Sequence, residues 1–71
     1  MEIFVFKTNL DNRKQKRKLF PLLRTLQGIL KWNIDWEDDD KILRVEAVSV
    51  SPRSIESVLR NAGYQCKELE D

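Results

Sequence analysis

The segment Leu30-Lys31-Trp32-Asn33-Ile34-Asp35-Trp36-Glu37 alternates apolar and polar side chains without a break. A period of two puts Leu30, Trp32, Ile34 and Trp36 on one face of a strand and Lys31, Asn33, Asp35 and Glu37 on the other. Such a strand needs a neighbour beside it and a cover over its apolar face. The neighbour follows at once. "ILRVEAVSV", from Ile42, sets Leu43, Val45 and Ala47 against Ile42, Arg44 and Glu46, and the polar "EDDDK" between the two runs is a turn. The pair is a hairpin with one apolar side.

Two helical patterns supply the cover. Leu19, Leu22, Leu23 and Leu26 recur at helical spacing, which predicts a helix over 11–27, kinked at Pro21 and stopped by Gly28. In "SPRSIESVLRNAG", Ser51 is the N-cap and Pro52 the first helical residue. Ile55, Val58, Leu59 and Ala62 form the apolar face, and Gly63 is the stop. "EIFVFK" predicts an opening strand with Phe4 and Phe6 on one face and Ile3 and Val5 on the other. "YQCKEL" predicts a closing one. The order is βαββαβ. Right-handed crossovers then give an α+β, ferredoxin-like sandwich: a four-stranded antiparallel sheet in the order 4-1-3-2 with both helices on one face.

The chain has 71 residues, which is one domain over 1–71, and 41% of them are hydrophobic, enough for a thin two-layer core. It has one cysteine, Cys66, and no histidine. An internal disulfide, a four-ligand zinc site and histidine-based catalysis are therefore excluded. No apolar run approaches the roughly 20 residues of a membrane span, and the first ten residues do not form a signal peptide. The expected setting is cytoplasmic, with no membrane partner. Net charge is +1, but Arg13, Lys14, Lys16, Arg17 and Lys18 crowd the start of the first helix. The predicted topology brings that turn, the "EDDDK" hairpin and the "NAGY" turn to the same end of the sheet.

The runs "FKTN", "FPLL", "WNIDWEDDDKILRVEA" and "IESVLRNAGYQC" together resemble the heavy-metal-associated domains of copper chaperones and soft-metal transporters. The resemblance spans nearly the whole chain. It rests on Trp32, Ile34, Asp35, Leu43, Val45, Glu46, Gly63 and Tyr64. It implies the same fold, and it implies a metal-binding turn after the first strand in which two cysteines are separated by two residues. Soft cations such as Cu(I) take thiolate ligands, and a helix N-terminus favours the thiolate. Alignment puts those two positions at Asn12 and Gln15, or at Asp11 and Lys14 after a slip of one residue. Neither register supplies sulfur. The chain reads as a degenerate member without the thiolate pair, and no cofactor is expected.

The basic residues fit a solvated face, a face screened internally by Asp38, Asp39 and Asp40, or a contact surface for an anion or partner. The acidic turn lacks the spacing of a calcium loop. Cys66 is either a small buried apolar residue or one half of a metal site shared across a dimer. Trp32 and Trp36 are read as core under the first helix. RNA readout on the open sheet face needs aromatics that Ile3, Val5, Arg44 and Glu46 do not provide. With two glycines, both at helix ends, no phosphate loop can be built, and the chain is expected not to be an enzyme. The expected function is a protein-interaction module. Its contact residues are Asn12, Arg13, Lys14, Lys16, Arg17 and Tyr64, and its partner is another protein. Two alternatives remain open: metal binding through Cys66 across a dimer or through oxygen ligands, and weak electrostatic nucleic-acid binding through the basic turn. Homodimerisation through the apolar stripe of Ile3 and Val5 is also allowed.

Overall fold

The computed structural model describes residues 1–11 and 13–69, with only the backbone at Arg13. The chain runs β1 (Glu2–Thr8), α1 (Arg13–Arg24), β2 (Ile29–Asp35), β3 (Ile42–Ala47), α2 (Pro52–Asn61) and β4 (Cys66–Glu68). The strands form one sheet in the order β2-β3-β1-β4, the predicted order read from its other edge, and every pairing is antiparallel. In the centre Phe4 lies opposite Val45 and Phe6 opposite Leu43.

One face of this sheet is covered. Phe4, Phe6, Ile34, Leu43, Val45 and Ala47 from the strands join Leu19 and Leu23 of α1 and Ile55 and Leu59 of α2 in a single buried cluster. Each fully buried leucine or phenylalanine there is worth about 1.5–3 kcal/mol. The other face is open, with Ile3 exposed and Arg44 paired to Glu46 at 3.3 Å. Trp32 and Trp36 are half-buried against the core, and Phe20 packs against Trp32 with the rings tilted by 58° and their centroids 4.9 Å apart.

Both ends of α2 fall where the sequence puts them. The Ser51 hydroxyl accepts the Arg53 N–H at 3.2 Å. Beyond Ala62, Gly63 N–H bonds to Arg60 O and Tyr64 N–H to Leu59 O, both at 3.0 Å, with Gly63 at φ 96°. This is the Schellman closure, and it requires a left-handed residue at Gly63. Ala62 is exposed rather than part of the apolar face.

Three further expectations need correction. First, α1 runs unbroken through Pro21 but ends at Arg24. Thr25 and Leu26 then bond back three residues, to Leu22 O and Leu23 O, and the Thr25 hydroxyl caps Leu22 O at 2.6 Å. Gly28 is therefore not the helix stop. It has φ 99°, and a Cβ there would collide with Val48 O, so it lets two backbone segments pass close together. Second, a bulge between Ile29 and Lys31 breaks the alternation of β2. It leaves Leu30 60% exposed and gives its inward place to Ile29. Third, β4 is three residues long rather than six, although Leu69 N–H continues the pairing to Val5 O at 2.8 Å.

Candidate functional site

The end of the sheet where β1 exits gathers three loops, as the topology requires, and hydrogen bonds fasten them together. Thr8, buried at the end of β1, donates its hydroxyl to Lys41 O at 2.6 Å and accepts the Leu10 N–H at 3.3 Å. Its own N–H reaches Asp40 O at 3.1 Å, and Lys7 pairs with the Asp40 carboxylate at 3.3 Å. These contacts tie the β1–α1 turn to the acidic hairpin. The Asn9 side-chain oxygen accepts the Gln65 N–H at 2.9 Å and ties the same turn to the segment after α2. Leu10 has no exposed surface and anchors the turn in the core.

Gln15, one of the two positions to which the resemblance assigns metal ligands, is half-buried in the first turns of α1. Its side-chain oxygen accepts the Asp11 N–H at 2.8 Å. A backbone N–H ahead of the helix is thus satisfied by a Gln in its first turn. The other position, Asn12, lies outside the described residues, as does the side chain of Arg13. Asp11 and Lys14, the positions after a slip, carry a carboxylate and an ammonium. This donor set does not fit a soft cation. Among the described residues no group of three or more acidic or cysteine side chains could hold a metal ion.

Cys66 is elsewhere. It faces Thr8 across the β1–β4 pairing and is 2% exposed within the core cluster. Burial pushes its thiol pKa up to about 12, the Glu56 carboxylate adds to the rise, and Arg60 opposes it. A thiol so enclosed is closed to a ligand role shared with a second chain. The reading of Cys66 as a buried apolar residue is the one the structure fits.

The basic residues are carried by α1 rather than by the turn. Lys14, Arg17 and Lys18 are exposed on its outer side, and Lys16 is half-buried beside them. No acid stands in the first turn of α1, where these cations meet the positive end of the helix dipole. The three ion pairs among the described residues are Lys7–Asp40, Arg44–Glu46 and Arg53–Glu56, and none involves Lys14, Lys16, Arg17 or Lys18. Asp38 is occupied within its own loop, where it accepts the Asp40 N–H at 2.8 Å. Tyr64 is at the same end, half-buried against the core, its amide closing α2.

Reading by pattern misses Thr8, Leu10 and Glu56. Leu10 is a lone apolar residue in a polar turn, which is a usable signal. Thr8 and Glu56 act on backbone groups far along the chain and leave no local trace.

No family-level sequence profile matches the chain, and no curated protein does. Solved structures do. The N-terminal domain of ZntA in its Zn(II) form has a TM-score of 0.81 at 23% identity, over 96% of this chain and 92% of that one. The yeast copper transporter domain Ccc2a, studied in apo and Cu(I)-loaded states, has a TM-score of 0.84 at 19% identity, over 100% and 99%. A chain from the Atx1–Cu(I)–Ccc2a complex matches with a TM-score of 0.82 at 19% identity, over 100% and 99%. At these identities the likeness establishes the fold. The chain has the ferredoxin-like architecture of heavy-metal-associated domains and one cysteine, without the paired thiolates.

Proposed function

We propose that this chain is a non-enzymatic, cytoplasmic protein-interaction domain built on a metal-carrier fold. Its contact surface is the basic end of α1: Asn12, Arg13, Lys14, Lys16 and Arg17, with Tyr64 beside it. The observation that carries the reading is a ridge of cations on the first turns of α1, of which Lys14, Lys16, Arg17 and Lys18 have no ion-pair partner among the described residues, beside the positions that the family resemblance gives to metal ligands. There this chain has a side-chain amide. A cluster of like charge costs stability at a helix start. It is therefore better explained by something outside the chain than by the fold. The complex between Atx1 and Ccc2a supports the idea that domains of this architecture engage protein partners. The expected partner is a protein with an acidic face.

Co-purification of bound proteins at low and high salt identifies candidates. Replacing Arg13, Lys14, Lys16 and Arg17 by neutral residues then weakens binding and flattens its salt dependence. Unchanged binding after that substitution overturns the surface. Anaerobic Cu(I) titration with mass analysis tests the competing carrier reading, which requires a stoichiometric, chelator-resistant complex. Filter binding in a salt series tests the nucleic-acid alternative, for which retention at low salt is the signature.

A further inference from the structure

We propose that the free edge of β2 is a contact between two copies of this chain, paired antiparallel about Asn33. The inference is independent of the functional reading above. β2 is an outer strand of the sheet, with β3 on one side only, so its other edge presents backbone groups able to pair with another strand. It is seven residues long, against three for the opposite edge strand β4. Beside it is an apolar notch of about 350 Å³ between α1 and β2, lined by Phe20, Leu26, Ile29, Leu30, Trp32 and the cation Arg24. Phe20 is 49% exposed and Leu30 60%.

The order of charges along β2 selects the occupant. A two-fold axis through Asn33, perpendicular to the sheet, keeps each side chain on its own face. Lys31 then faces Asp35 of the second copy, and Asp35 faces its Lys31, so two opposite-charge pairs form at once. On the apolar side Trp32 meets Ile34, and the half-buried Trp36 of the second copy comes over Leu30 and the mouth of the notch. The acidic residues that follow, Glu37 and Asp38, run past Arg24. Neighbouring registers lose this match. An axis at Trp32 sets Lys31 against Asn33 and Asp35 against the apolar Ile29. An axis at Ile34 sets Asp35 against Asn33 and moves Lys31 opposite Glu37, past the end of the strand, so no opposite-charge pair falls within it. The edge is short and the two basic α1 helices flank the axis, so the contact is weak, with a dissociation constant on the order of 100 µM.

Sedimentation velocity of the whole chain, at concentrations from about 10 µM to about 1 mM, tests the proposal. The expected result is a concentration-dependent dimer. Lys31→Asp and Asp35→Lys should each weaken it about tenfold or more, because two attractive cross-strand pairs become repulsive. An equimolar mixture of the two variants should recover the parent affinity as a heterodimer, since the acids of one then face the lysines of the other. Both side chains are exposed, and thermal midpoints close to the parent's confirm that the variants fold. Asp35 also accepts the Glu37 N–H at 3.1 Å. If Asp35→Lys unfolds, the graded series Lys31, Lys31→Gln, Lys31→Asp gives the same reading through successive losses of affinity. A monomer throughout the range overturns the proposal. So does a dimer that neither charge reversal weakens, or a mixture of folded variants that stays dissociated.

Discussion

Glu56 gives the sharpest test of how this small fold holds its edge. Its side chain is 3% exposed on α2, an uncommon place for a carboxylate. One oxygen accepts the Glu68 N–H at 2.7 Å and the other accepts Arg53 Nη1 at 2.8 Å. The first bond ties β4, a strand of three residues, to the helix above it. Replacing Glu56 by Gln keeps the volume and one acceptor but turns an amide NH₂ toward a donor. Arg53 is 73% exposed, so its share of the loss is screened and worth less than about 1 kcal/mol. The buried bond to Glu68 is charge-assisted and worth roughly 1.5–3 kcal/mol. A total of about 2 kcal/mol lowers the thermal midpoint of a domain this size by about 8–16 °C.

The pH dependence follows from the same contacts. Burial raises the Glu56 pKa, but the Glu68 amide, the Arg53 guanidinium and the charge of Arg60 outweigh it. The net result lies below the ordinary value of 4.5. A folded-state pKa below the unfolded one means the stabilisation is complete above about pH 4.5 and is lost as pH falls through the folded value. The gap between parent and Glu56→Gln, followed by circular dichroism during heating and in urea, is therefore constant near neutrality and shrinks below about pH 4.5. Amide exchange at Glu68 should quicken in the variant. Equal midpoints at pH 7, or a gap that persists undiminished to pH 3, would refute the reasoning.

Other outcomes follow from single features. Gly28→Ala forces a Cβ against Val48 O and Val50 at a positive φ, and should cost more than about 2 kcal/mol in urea unfolding. Gly63→Ala meets open space and bears only the φ penalty, about 1 kcal/mol. Lys14→Glu places an acid in the first turn of α1 and should raise stability by about 0.3–1 kcal/mol while lowering partner affinity; a loss of both would place Lys14 in the fold instead. Cys66, buried and with its pKa near 12, should resist alkylation at neutral pH until the chain unfolds. Rapid native-state labelling would contradict its burial.

Much of the fold could be read from alternation and helical spacing, because Phe4, Phe6, Leu43, Val45, Ile55 and Leu59 declare their faces by period alone. The caps of α2 were equally plain, since Ser51, Pro52 and Gly63 act on residues within a turn of themselves. Leu30 was misplaced because a bulge turns a residue out of the core without changing the pattern around it. The early end of α1 was hidden because Leu26 keeps helical spacing while its backbone has already tightened to three-residue bonds. At the candidate site, the missing thiolates and the crowd of cations were visible directly. The stitching by Thr8, Asn9 and Gln65 was not, because it depends on which loops the topology brings together.

The amide at Gln15 has a consequence for engineering. Writing cysteine into that position to rebuild a copper carrier would do more than add sulfur. It would remove the bond that the Gln15 side chain gives the Asp11 N–H and loosen the entry to the helix. Grafted thiols would then sit on a frayed hinge, and a workable transplant would need a new acceptor for that N–H before any metal is offered.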